Sequence, residues 1–526
     1  MSAARSERGR TAGILAVAAL ATALFAPALT YAYAYDDLWT VENNPALDRG
    51  LGPLLGDLLS GRGAARGVPD ATRPIMVASL WLDRRLFGHD SSGFHLHSLA
   101  LYAACTAASV FAIFAITRRW RAALVGGAFF AVAPVHAEVV AAVNYREDLQ
   151  SALAVFGALA CLFWPRRAAR NGVATFGLAA LVLYGLLAKE NAVVVLPLAV
   201  AVAAGLSKTR TLIGRNEWGV GAVLGTTLAW GAWRAVLRAT GRDDVPLVLV
   251  PRGAVERLVR TARYLVRAAW DGIVPFHWAP DYAPEPAPSI AGSIAWSVAL
   301  VAIVVVAFAL ARQRRFRAVA AGIAVALVAP LATSPLLSPI NETADRFVFI
   351  GTLGGAIIAG TFADRIARVL PVRVRTVALA VVLLPFIVVA RHAVSAWKDD
   401  ATLWRVATER APTSARAFTG LSRSLRMHGD LDGADRAIAH AIELDPNFLR
   451  ARVTRLYGRL ARGDVEGARA DIVDIKKRGG GRQLGMRRAI HCAALSPEMS
   501  RLCAGGEGPI PSKVPLTPGG TSAEAP

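Results

Sequence analysis

Apolar residues in this chain gather in long runs with few charges inside them. Runs fall at about 11–31, 94–117, 122–141, 148–164, 172–188, 191–206, 218–236, 289–311, 318–337, 347–363 and 376–391. Each approaches the roughly 20 apolar residues that a helix needs to cross a hydrocarbon core. About eleven transmembrane helices are predicted, one of them interrupted by Pro197. The stretch 255–278 has a different pattern. Arg257, Arg260, Arg263 and Arg267 recur at three-to-four spacing opposite an apolar face. That predicts an amphipathic helix lying on the bilayer surface.

After residue 391 the long runs stop. GDLDGA at 429–434 returns as GDVEGA at 463–468, an offset of 34 residues, which is the tetratricopeptide period. In the unit 415–448, Phe418 and Leu421 take large positions, Ala434 and Ala441 small ones, and Pro446 ends the repeat. The same offset places Trp404, Ala407 and Pro412 on the template, giving about two and a half repeats. The predicted fold class is all-α. A polytopic membrane domain covers 1–395, with outer loops 32–93 and 237–288, and a tetratricopeptide-repeat α-solenoid covers 396–480. The tail 481–526 is Pro/Gly/Ser-rich and is expected to be disordered after about 505.

Composition agrees and adds one puzzle. Apolar residues make up 54%, charged residues 18%, and mean hydropathy is +0.42, which excludes disorder and an ordinary soluble enzyme for most of the chain. Yet net charge is +21, a value that raises nucleic acid as a partner. The position of the charge removes that reading. Segments 1–10, 118–121, 165–171, 207–217, 312–317 and 364–375 hold 20 basic residues. The short loops between them hold about one each, at Arg146, Lys189 and Arg346. The positive-inside rule places the N-terminus in the cytoplasm and the C-terminal repeats outside, in the periplasm or an equivalent lumen. An inner (plasma) membrane protein follows, with no nucleic acid. Arginine supplies 53 of the 59 basic residues, a bias that points to GC-rich coding and a bacterial source. Residues 5–34 also carry the parts of a cleavable signal peptide, ending at Ala32–Ala34, but the apolar run exceeds the usual 7–15 residues. Cys105 and Cys161 sit in apolar runs, while Cys492 and Cys503 are close enough in sequence to pair in an oxidising compartment.

Charges at membrane-helix ends are costly and need a reason. One side carries Asp36 and Asp37; His136, Glu138, Arg146, Glu147 and Asp148; Lys189 and Glu190; and Asp345 and Arg346. Carboxylates can accept a proton from a hydroxyl, and cations can hold an anionic leaving group. Taken singly these are helix caps and ion pairs; taken together on one side they suggest a site. His95 and His97 read as interfacial caps. A transporter would instead place charges at mid-bilayer and repeat its halves. A non-catalytic scaffold presenting the repeats to a protein partner explains the tail but not the clusters.

In order, YDDLWTVENNP, TRPIMVASLWLDRRLFG, GFHLHSLALY, PVHAEVVAAVNYREDL, LLAKEN and ADRFVFIGTLGG resemble the transmembrane and tetratricopeptide-repeat proteins. Those belong to the GT-C superfamily of glycosyltransferases and include O-mannosyltransferases. The resemblance runs from about 12 to 478. It implies an inverting transfer of a sugar, mannose in some members, from a polyprenyl-phosphate donor to a hydroxyl on a protein, lipid or glycan. By the resemblance, Asp36 or Asp37 is the catalytic base, and Lys189, Arg346 and Arg146 hold the donor phosphate. His136, Glu138, Asp148, Glu190 and Asp345 support them. Phe349 stands where the family pattern has Tyr. No cofactor is implied with certainty; a divalent metal between Asp37 and Glu138 is compatible with the family but not demanded by spacing.

Overall fold

The structure is a computed structural model that describes residues 2–164, 172–207, 217–240, 253–286, 289–336 and 343–478. It is all-helical, with no strand among the described residues. These residues divide into two compact units, 1–280 with 285–399, and 281–284 with the chain from 400 onward. Cys492 and Cys503, and the tail after 478, lie outside the described residues.

The first unit begins with α1 (Ser2–Phe25) and two short helices of the outer loop, α2 (Leu51–Leu59) and α3 (Pro74–Phe87). Then come α4 (Ser91–Thr117), α5 (Trp120–Ala131), α6 (Ala137–Ala141), α7 (Arg146–Phe163), α8 (Gly172–Ala188) and α9 (Val195–Gly205). It continues through α10 (Glu217–Ala239), α11 (Ala254–Ile273), α12 (Ile290–Arg312), α13 (Arg317–Val328), α14 (Thr352–Ile366) and α15 (Val372–Ser395). Helices occupy all eleven apolar runs, but among the described residues six are long and apolar enough by themselves to cross a membrane. The count reaches seven if α5 and the segment Pro134–Ala141, bent by 60°, form one broken span. The shortfall has two causes. α7 opens on Arg146, Glu147 and Asp148, and α8, α9 and α14 are only 17, 11 and 15 residues long.

Packing among these helices depends on small residues. A Cβ on Gly360 would meet the Ala122 carbonyl oxygen at 2.1 Å, and one on Gly126 the Ala356 oxygen at 2.5 Å. α5 and α14 therefore touch backbone to backbone, as membrane helices do where small residues remove the side-chain spacer. α12 does the opposite: Ile294, Val298, Val301, Val305 and Phe308 are all exposed along it, as expected of a face that meets lipid.

The loop 32–93 folds into a layer of its own, with Tyr33, Val41, Leu47, Leu54, Leu58, Met76, Val77 and Leu80 in one core with Phe94 and Val143. The arginine-bearing helix α11 corrects a sequence expectation. Much of its apolar face is covered by protein: Ala269 shares a core with Ala326 and Leu327, and Tyr264 hydrogen-bonds Thr333 at 2.7 Å, while Val255, Leu258 and Trp270 stay exposed. A Cβ on Gly272 would meet the Gly351 carbonyl at 3.2 Å. On the other face Arg260 pairs with Glu256 at 2.8 Å, and Arg263 (2.7 Å) and Arg267 pair with Glu285. The helix is amphipathic as predicted, and neighbouring helices cover much of the apolar side that was expected to meet lipid.

The second unit contains α16 (Asp400–Arg410), α17 (Ala415–Met427), α18 (Leu431–Leu444), α19 (Leu449–Arg462) and α20 (Val465–Lys477). Helix starts repeat with the offset read in the sequence, Ala415 to Leu449 and Leu431 to Val465. The repeated hexapeptide has a local explanation. Gly429 and Gly463 adopt left-handed φ of 84° and 75°, which ends one helix cheaply. The next residue, Asp430 or Asp464, caps the following helix by accepting the N–H of Gly433 (2.8 Å) or Gly467 (2.9 Å). Gly420 lies flat against the Trp404 indole, where a Cβ would come within 2.1 Å of the ring. Asp281 accepts from Ser414 Oγ at 2.5 Å and pairs with Arg416, which is why residues 281–284 belong to this unit.

Candidate active site

The predicted site residues lie where helices break. Asp36 and Asp37 precede a short π-helical turn, Leu38–Glu42; Glu138 opens α6. Tyr145 closes the 3-10 turn Val143–Tyr145, immediately before α7. Lys189 precedes the turn Glu190–Val194, and Asp345–Phe347 is another such turn. Proline, glycine or paired charges interrupt the helical ladder at these points. The freed chain ends project charged side chains toward one another.

Tyr35 holds a left-handed φ of 58°, rare for an aromatic residue. The two acids that follow it part company. Asp37 is 1% exposed and accepts the backbone N–H of Val143 (3.0 Å) and of Asn144 (2.6 Å), one on each carboxylate oxygen. Burial pushes its carboxyl up to about 7, with Asp36 adding to the rise and the two N–H groups opposing it. Asp36 is half-buried and accepts from the Tyr145 hydroxyl at 3.0 Å through Oδ2. Its Oδ1 has no hydrogen bond among the described residues. The pair that looked equivalent in sequence is thus one fastener and one available carboxylate.

From Asp36 the contacts run on without a gap. The Arg346 guanidinium sits 4.2 Å from the Tyr145 ring centroid. Glu138 accepts the Arg346 backbone N–H at 2.8 Å and pairs with its guanidinium. The Arg346 side chain keeps 12% exposure. Beside it, Lys189 is clamped between Asp148 (2.6 Å) and Glu147 (2.9 Å). Glu147 also holds Arg73 at 2.7 Å, and Arg73 reaches Glu190 (3.0 Å) and Asp70 (3.2 Å). Asp345 is buried at the start of its turn.

Two expected residues lie elsewhere. Arg146 is fully buried: it pairs with Asp83, donates to the Phe94 carbonyl at 2.8 Å and meets His97 Nδ1 at 3.2 Å. With no exposed surface, its guanidinium is not placed to meet a donor phosphate. It anchors the first turn of α7 to α3 and α4 instead. His136 is also fully buried, bridging Tyr102 Oη and Thr352 Oγ1, each at 2.9 Å. Phe349 packs its ring edge-on against His136, with centroids 4.6 Å apart. A tyrosine hydroxyl there would have to enter this closed aromatic cluster. His97 takes a structural place, at 2.8 Å from Asp83. Asp37 and Glu138, between which the family is compatible with a divalent metal, accept protein N–H donors from Val143, Asn144 and Arg346. No group of three His, Cys, Asp or Glu suited to a metal occurs among the described residues.

Sequence reasoning missed Arg73, Tyr145 and Asp83. Arg73 stood in a polar loop, and beyond its place in the motif TRPIMVASLWLDRRLFG its signal was the following Pro74, which starts α3. Tyr145 carries no charge and so drew no attention inside NYRED.

No protein-family model and no curated protein matches the sequence. Among solved structures the chain is similar to the Archaeoglobus fulgidus oligosaccharyltransferase. The structure tethered with an acceptor peptide containing the NVT sequon gives a TM-score of 0.41 at 10% identity over 80% of this chain. The apo form gives 0.38 at 12% identity over 77%. The chain spans 58% and 57% of the length of those proteins.

Proposed function

We propose that this chain is a GT-C-type membrane glycosyltransferase that moves a sugar from a polyprenyl-phosphate donor to an acceptor hydroxyl outside the cytoplasm. The reading rests on the chain of contacts from Asp36 through Tyr145 and Arg346 to Glu138, flanked by Lys189 and Arg73, at the broken ends of apolar helices. In this mechanism Asp36 Oδ1 takes the proton of the acceptor hydroxyl. The acceptor oxygen attacks the anomeric carbon from the side opposite the phosphate, the bond from carbon to phosphate oxygen breaks, and the polyprenyl phosphate leaves, so configuration inverts. Arg346, the accessible cation beside Asp36, meets the charge that grows on the departing phosphate. Lys189 and Arg73 offset the charge of Glu147, Asp148, Glu190 and Asp70 behind it. Asp37 and Arg146 hold the frame and touch neither substrate. The six motifs quoted above favour this family, and the 34-residue helix pairs favour a tetratricopeptide module. Its concave surface suits a polypeptide acceptor or partner.

The test is comparative mass spectrometry of envelope proteins and glycans from cells lacking the gene, complemented with wild type, Asp36→Asn or Arg346→Gln. A sugar modification that returns with wild type and with neither variant supports catalysis. Restoration by Asp36→Asn at full level rejects it and leaves the repeat-presenting scaffold as the better account.

A further inference from the structure

A second group of charges lies at a different set of helix ends and plays no part in the site above. It collects where α4 turns into α5, where α12 turns into α13, and where α14 stops. Asp364 is buried and is held by Arg119 and Arg368, each at 3.0 Å. Phe316 is shared by two more cations: Arg315 lies 4.8 Å and Arg365 4.9 Å from its ring centroid, and Arg365 is also 5.7 Å from Phe362. Four arginines therefore surround one carboxylate. Arg315 and Arg365 have no carboxylate partner among the described residues, and Arg119, Arg315 and Arg368 are exposed.

Three facts decide what such a cluster can hold. It sits at the ends of apolar helices: α4 ends at Thr117, just before Arg119, and α12 at Arg312, just before Arg315. That is the level of lipid headgroups if these helices span the bilayer. Its excess charge is positive, so the complementary partner is an anion. Its free cations are guanidiniums steadied on an aromatic face, whose fork of donors matches phosphate oxygens. The anions available at that level are the phosphodiesters of the membrane itself, and basic pockets between membrane helices are known to take them.

We propose that Arg315 and Arg365 bind the headgroup phosphate of an anionic phospholipid, with Asp364, Arg119 and Arg368 as the frame that holds the pocket. Purified full-length protein in mild detergent, mixed with equal amounts of phosphatidylglycerol and phosphatidylcholine, is examined by native mass spectrometry. Wild type retains phosphatidylglycerol preferentially, and added salt weakens that retention. A basic residue near an anionic surface contributes roughly fivefold, so Arg315→Gln with Arg365→Gln lowers phosphatidylglycerol occupancy roughly 30-fold. Should that variant fail to fold, Arg315→Lys with Arg365→Lys decides: it keeps the charge but loses the stacked donor fork, so its preference for phosphatidylglycerol must fall below that of wild type. Equal retention of both lipids by wild type, undiminished phosphatidylglycerol in the folded Gln variant, or an undiminished preference in the Lys variant overturns the proposal. So does complete displacement by soluble glycerol phosphate, which would make the ligand a free anion.

Discussion

Asp37→Asn and Asp36→Asn are nearly the same edit in sequence and opposite edits in structure. Asp37 accepts two backbone N–H groups, one per oxygen. An amide offers one acceptor and one donor, so one buried N–H is left facing an NH2 group, at a cost of about 1–3 kcal/mol. The cost depends on pH because burial raises the Asp37 carboxyl from 3.8 to about 7. An acid whose folded value is raised contributes stability below its unfolded value and loses it as pH climbs toward the folded one. For Asp37 the loss spans pH 4 to 7 and reaches about 4 kcal/mol at most, at about 1.4 kcal/mol per unit. Asparagine does not titrate. The melting temperature of Asp37→Asn in detergent should therefore lie below wild type at pH 4, and the gap should close or reverse by pH 7. Asp36→Asn, altering a half-buried group with one hydrogen bond from Tyr145, should melt with wild type at both pH values. It should lose sugar transfer by about 100-fold or more, the scale of a missing general base. A gap for Asp37→Asn that widens with pH, or an Asp36→Asn protein that transfers normally, refutes the division of labour.

Lys189→Met leaves Asp148 and Glu147 buried without their shared cation. Breaking a buried pair costs about 3–5 kcal/mol, so fluorescence-detected size exclusion should show little folded protein. Phe349→Tyr tests the departure from the family pattern: a hydroxyl forced into the cluster of His136, Phe130 and Tyr102 should cost about 1–3 kcal/mol by overpacking. A variant as stable as wild type would show a cavity or polar partner at that ring edge. Gly360→Ala puts a methyl group into the Ala122 carbonyl and should lower the melting temperature, while Gly221→Ala, with open space around it, should not.

Apart from α2, α3 and α11, the apolar runs marked the helices of the membrane unit, because a stretch without charges has one stable state in lipid and shows itself by composition alone. They could not say which helices span, since α7, α8, α9 and α14 are shortened or charged by breaks that a hydropathy average smooths over. The repeat period was equally plain, carried by a glycine and an aspartate that act within one turn of their own backbone. The charged clusters were visible because charges beside apolar runs are rare, and the structure joins most of them into two contact groups, one around Arg346 and one around Lys189. Their separate duties were not visible. Whether a carboxylate is exposed, or spent on backbone N–H groups 106 residues away, depends on how the chain returns.

Local properties of this protein, its helices, its caps, its positive loops and its period, follow from sequence because neighbours along the chain decide them. The choice of Asp36 over Asp37, the burial of Arg146 against Asp83, the recruitment of Arg73 and the burial of the arginine helix α11 were decided by tertiary structure. Each depends on a partner distant in sequence, and in low dielectric the partner determines whether a charge is free to act or held in place.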